Sequence, residues 1–301
     1  MSQPPHGVPE DELVDETTAE SFPASDAPSW SAMHAGAPSP RPWVAEHARE
    51  VRAALRADVE RLARAMADAN DAERRGESRS LVVEDMAAQA ILDAGRAVIR
   101  EPVDESLRAW NLEAEQLGAE RESACVIVGA SLGARDASGA ALLIAIIRAL
   151  APARMRRTVR FAVFAAQAGS QRFAERLNRE GCDVHAMLSL GQLDLTRGAP
   201  APSVDFVGNF QSASFARAAR DAFLRSSRIR ARAVVLPSWL LGLRSPDRAL
   251  LWRQGWPAVV ATDAPLWRRV RRSTAAPDVD RMAAAVPGLA SAVARLAGGR
   301  V

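Results

Sequence analysis

Apolar side chains recur at helical spacing early in the chain. Val51, Leu55, Val59, Leu62 and Met66 share one stripe, which predicts an amphipathic helix over 44–69. A second helix is expected over 83–97, opening on acidic residues as helix starts prefer. Three strands are expected next, over 97–103, 109–116 and 124–130. The third reads Ala-Cys-Val-Ile-Val-Gly-Ala, an unbroken apolar run suited to a strand covered on both faces. From there the pattern alternates. Helices are expected over 137–150, 171–180, 212–225, 245–254 and 278–297, and strands over 158–165, 184–190, 203–207, 233–236 and 258–261. Such alternation predicts a three-layer α/β/α sandwich on a mostly parallel mixed sheet. Sheets of this kind place their sites beyond the carboxyl ends of the strands. Here those ends are 130–133, 166–169, 190–193 and 261–265.

Composition narrows the chemistry. The first 42 residues are rich in Pro, Ser and acids and poor in apolar residues, which predicts a disordered acidic tail ahead of a 43–301 body. Within the tail, Glu20-Ser-Phe-Pro-Ala-Ser-Asp-Ala-Pro-Ser-Trp30 offers Phe22 and Trp30 as anchors for a protein partner. Every basic residue is arginine, and lysine and tyrosine are absent, which removes Schiff-base chemistry. Residues 1–40 hold seven acids and no arginine, so a net charge of +3 leaves the rest of the chain near +10. Arg154, Arg156, Arg157 and Arg160, or Arg268 to Arg272, are candidates for a basic patch, but no nucleic-acid motif accompanies them. Neither nucleic acid nor membrane is expected as a partner. Cys125 and Cys182 are the only cysteines, too few for a disulfide scaffold or a multi-cysteine zinc site. With no export pattern at the start, they suggest the cytoplasm.

Histidine is the sharpest constraint. His6, His34 and His47 lie early, leaving His185 alone in the rest of the chain. It opens a strand, so it is expected at the opposite end of the sheet from the strand ends named above. Those ends offer Ser131, Arg135, Asp136, Gln167, Ala168, Gly191, Gln192, Ser273 and Thr274. A zinc-activated water needs about three protein ligands from His, Asp, Glu or Cys. A serine nucleophile needs a base beside it. This set, with Asp136 as its carboxylate, meets neither need. Gly139 is read as allowing close helix–sheet packing.

The ordered segments resemble the co-catalytic zinc aminopeptidase family, which spans leucyl-type aminopeptidases, glutamate carboxypeptidase and the transferrin receptor ectodomain. The resemblance runs over roughly 45–300. It is carried by Asn111-Leu-Glu-Ala-Glu-Gln-Leu-Gly118, Val126-Ile-Val-Gly-Ala130, Gly133-Ala-Arg-Asp-Ala-Ser-Gly139, Arg157-Thr-Val-Arg-Phe-Ala-Val-Phe-Ala-Ala166, Ala186-Met-Leu-Ser-Leu-Gly191 and Ser245-Pro-Asp through Gly255-Trp-Pro-Ala258. Thr262-Asp263, Arg268 and Arg281-Met282 continue it. The resemblance implies a zinc-exopeptidase-like fold and, in the family, a two-zinc peptidase site.

Carried over one position at a time, that site is largely replaced. The first zinc histidine falls on Ser131, and the general-base glutamate falls on Gln167, an amide that takes no proton at neutral pH. Further ligands fall on Ala168, Gly191 and Ser273. The bridging aspartate falls on Asp136, or on Arg135 in the alternative register. The expectation is a non-catalytic relative without zinc, binding a peptide, a small anionic ligand or a protein in the former cleft. The alternatives are a hydrolase with a non-standard site centred on Asp136, and an interaction module acting through its tail.

Overall fold

The computed structural model describes residues 48–74, 82–104, 109–119, 121–132, 138–196, 203–239, 255–263 and 277–299. The predicted tail, the helix expected over 245–254 and the arginines of 268–272 lie outside the described residues.

Among the described residues, six helices and eight strands follow in chain order: α1 (Ala48–Arg74), α2 (Val82–Asp93), β1 (Ile99–Asp104), β2 (Ala109–Gln116), β3 (Arg121–Ser131), α3 (Ser138–Leu150), β4 (Arg157–Phe164), α4 (Ala166–Arg179), β5 (Asp183–Leu190), β6 (Ser203–Gly208), α5 (Ala213–Ser226), β7 (Arg230–Val235), β8 (Ala258–Thr262) and α6 (Val279–Leu296). The strands form one sheet in the order β1-β2-β4-β3-β5-β8-β6-β7. Its centre, β4-β3-β5-β8, is parallel, and antiparallel joins to β2 and β6 flank it. The α/β sandwich with a mixed sheet expected from the alternation is therefore present.

The unbroken apolar run of β3 divides between two cores by the period of a strand. Val126, Val128 and Ala130 enter the larger core, which α1, α2, α3, α5 and α6 cover. Cys125 and Ile127 enter the smaller one, where Phe173, Ala174 and Leu177 of α4 close the opposite face. Between the sheet and the outer helices α3 is buried on nearly every side, as a helix apolar all round must be. The predicted stripe on α1 holds, with Leu55, Val59 and Leu62 buried. It also carries a buried charge. Asp58 accepts from Arg148 of α3 and, at 2.6 Å, from Arg61.

Four local outcomes differ from the sequence pattern. α2 ends at Asp93, because Gly95 turns the chain at φ +77° and its N–H donates to the Leu92 carbonyl. β7 starts at Arg230, its alternation disguised by Arg232, which reaches across to Asp205. β6 runs antiparallel to β8, so the β6–α5–β7 unit points its carboxyl ends away from those of the central strands. Of the arginines named as candidates for a basic patch at 154–160, Arg160 is half-buried and paired with Glu113, Glu115 and Glu180. Among the described residues no helix is long and apolar enough to cross a membrane.

Candidate functional site

Strand register sets the floor of the site. Ala130 of β3 pairs with Leu190 of β5, and Leu190 with Ala261 of β8. Ser131 pairs with Phe164, the last residue of β4. The backbone therefore brings Ser131, the start of α4 and Gly191 to one end of the sheet. Ser131 and Ala168 are exposed there, and Gly191 is buried. Arg135, Asp136 and Ser273 lie outside the described residues. Gln167 is placed only as backbone in the first turn of α4.

α4 begins at Ala166, five residues before the sequence pattern suggests. No side chain caps it at Ala165, so local signals are missing. The start is set from a distance by Asn111 of β2. Its amide donates to the Gly169 carbonyl at 2.8 Å and to Glu101 at 3.0 Å, and its oxygen accepts from the Ala165 N–H at 3.2 Å. Gly169 is required by this clasp, since a Cβ there would lie 2.2 Å from the Asn111 oxygen. Asn111 thus positions the segment that carries Gln167 and Ala168. Residue chemistry did not single it out; its signal was the Asn at the head of the Asn111–Gly118 motif.

Below Asn111, β2 presents Glu113 and Glu115 to the same face. Arg176 of α4 binds Glu101 at 2.9 Å, Glu180 at 3.0 Å and Glu113. Arg160 binds Glu115 at 2.8 Å and Glu113 at 3.4 Å. Burial raises the Glu113 carboxyl above its ordinary pKa, against the pull of Arg176 and Arg160. This network ties α4 to the sheet.

The β5 and β8 ends are closed by a second web. The Gly191 N–H donates to the Ala261 carbonyl at 2.8 Å, and the Asp263 N–H to Gln192 at 3.0 Å. Ser138 accepts from the Leu193 N–H at 3.2 Å, and the Asp263 carboxylate from the Leu195 N–H at 2.6 Å. Leu195 is held at φ +49°, a costly conformation for a branched residue that such an over-determined turn maintains. Asp194 accepts from Gln192 at 2.7 Å. Sequence reading of the strand ends counted only Asp136; Asp194 and Asp263 are further carboxylates at this end, both engaged in holding the loop. Gly139 packs as expected, because a Cβ there would meet the Leu190 carbonyl at 3.0 Å.

His185 lies at the far end, as expected. The register slips there, with Cys125 opposite Val184 and Val126 opposite Ala186, so His185 is the extra residue of a bulge. Its ring meets Phe215 edge-on at 5.3 Å.

The sequence resemblance implies a zinc pair, and three of the positions it assigns to zinc ligands are described here. Ser131 offers a hydroxyl, Ala168 a methyl and Gly191 no side chain, and none is a group that zinc sites use. Among the described residues no three His, Cys, Asp or Glu side chains come together as a metal site would need.

No protein-family model matches the sequence, and no curated protein does. Solved structures do match. The aminopeptidase LapA of Legionella pneumophila superposes with a TM-score of 0.58 at 15% identity, over 83% of this chain and 75% of that one. A leucine aminopeptidase precursor from Bacteroides thetaiotaomicron gives 0.52 at 12% identity, over 80% and 96%. A glutaminyl cyclase from the same organism, solved with N-acetylhistamine, gives 0.52 at 12%, over 80% and 97%. The chain has the fold of these aminopeptidases, as its sequence segments suggested. That a cyclase shares the fold shows that the frame does not fix the reaction.

Proposed function

We propose that this chain is a non-catalytic protein of the aminopeptidase fold that binds an anionic ligand, foremost a peptide carboxylate, at the carboxyl end of its central strands. The observation that carries this is the contrast at one sheet end. The strand ends meet in register, while Ser131, Ala168 and Gly191 stand at the positions that the sequence resemblance assigns to zinc ligands. Gln167 stands at the position that the resemblance assigns to the general base. An anion is favoured by the guanidinium of Arg135, four residues after Ser131 in the sequence, and by the start of α4, where no side chain caps Ala165 and the N–H groups and dipole attract negative charge. The two free cysteines favour the cytoplasm as its compartment.

The test joins three measurements on the full chain: zinc content after dialysis against zinc, turnover of a mixed aminoacyl-anilide panel, and calorimetric titration with short peptides bearing free or amidated carboxyl ends. The expected result is no stoichiometric zinc, no turnover, and binding of free-acid peptides alone. Arg135→Ala should weaken that binding about tenfold, the worth of one charge-assisted hydrogen bond. Tightly held zinc with turnover that Asp136→Asn abolishes would establish a hydrolase instead.

A further inference from the structure

The two cysteines of this chain meet. Cys125 is buried in β3, in the centre of the sheet, and Cys182 is half-buried in the turn between α4 and β5. Register brings them together, since Ala124 pairs with Asp183 and Cys125 with Val184. The turn is fixed by the Cys182 N–H donating to the Leu177 carbonyl at 3.0 Å. Their sulfur atoms lie 2.9 Å apart, closer than two unbonded sulfurs rest. We propose that Cys125 and Cys182 are a redox pair that closes to an internal disulfide under mild oxidation, without rearrangement of the fold. This is independent of what the strand ends bind.

The oxidant is a small-molecule disulfide such as oxidised glutathione. The Cys182 thiolate, the more accessible of the two, attacks one sulfur of that disulfide and releases one thiol. The Cys125 thiol, held protonated by burial, loses its proton to solvent as it attacks the Cys182 sulfur, and the second thiol leaves. Two cysteine thiols and one disulfide thereby become one protein disulfide and two small thiols.

The closed bond would link positions 57 residues apart in sequence, a span that holds α3, β4 and α4. Constraining so long a loop in the unfolded chain raises the melting temperature. The full chain is equilibrated in glutathione buffers from reducing to oxidising, trapped with an alkylating agent, and read by intact mass and thermal melting. The expected result is loss of both alkylation sites together, no retained glutathione, and a melting point about 10 °C higher. Cys182→Ser and Cys125→Ala should each remove the rise. A single glutathione held on Cys182 with Cys125 still alkylated, a covalent dimer, or an internal disulfide without a higher melting point would each overturn the proposal.

Discussion

Two sets of positions in this chain stand in contrast. Asn111, Gly118, Gly139 and Gly169 have the residues that the frame needs: Asn111, Gly118 and Gly139 meet backbone at close range, and Gly169 meets the Asn111 side chain. Ser131, Ala168 and Gly191 meet at the carboxyl end of the central strands and carry no group suited to zinc. The first set is held by geometry that any sequence with this fold must satisfy. The second is held only by a reaction. On the proposed reading, the packing of this fold persists where its chemistry has been replaced.

The largest effect expected from breaking that contrast is at Gly118. A Cβ there would stand 2.4 Å from the Arg157 carbonyl carbon and 2.5 Å from the Thr158 nitrogen. These are backbone atoms of β4 that cannot swing aside. The Gly118 N–H also donates to the Thr158 hydroxyl at 3.1 Å. Gly118→Ala is expected to cost about 3 kcal/mol, the upper part of the range for overpacking. Equilibrium denaturation in urea measures it, and a cost below about 1 kcal/mol would show that the strand pair yields more easily than this packing implies.

Asn111→Ala comes next. It leaves the Gly169 carbonyl and the Ala165 N–H without the side chain that answers them, at a cost of about 2 kcal/mol. Because the lost bonds hold the first turn of α4, amide exchange should quicken most at residues 166–170. Uniform quickening across the sheet would mean that Asn111 supports the whole core and not this turn.

At the strand ends the same kind of change should leave the fold alone. Ser131 is exposed, so Ser131→Ala is expected to alter stability by less than about 0.5 kcal/mol. Peptide binding should weaken if the proposed cleft uses its hydroxyl. A stability loss as large as that of Asn111→Ala would erase the distinction between frame and floor.

Much of the frame was legible because periodicity reports burial. The β3 run and the α1 stripe announced two-sided and one-sided cover, and both are observed. The start of α4 was not legible. Its determinant is Asn111, 54 residues before Ala165, and no cap precedes Ala166. The reversal of β6 was hidden for a related reason, since direction within a sheet depends on partners and not on the strand's own pattern. At the site, sequence named Ser131 and Gly191, which register brings to one end. It did not count Asp194 or Asp263 among the site carboxylates; the first accepts from the Gln192 side chain and the second from the Leu195 N–H.

The smallest effect expected is a pH dependence in the network beneath Asn111. Glu113 is almost fully buried beside Arg176 and Arg160, and its carboxyl is raised above 4.5 chiefly by burial. In the unfolded chain it has the ordinary value. Between the two values the folded protein holds a proton that the unfolded chain has released, so stability falls as pH rises through that window. Below the ordinary value both states are protonated, and above the raised value both are ionised, so the fall is confined between them. Glu113→Gln removes this titration while keeping a hydrogen-bonding side chain for Arg176. The stability of the native chain relative to the variant should therefore decline as pH rises from 4.5, and level off once Glu113 ionises in the folded state. Urea denaturation of both proteins across that range measures it. A relative stability that instead climbs with pH would mean that Arg176 and Arg160 outweigh burial, and that the network holds α4 by attraction between full charges throughout.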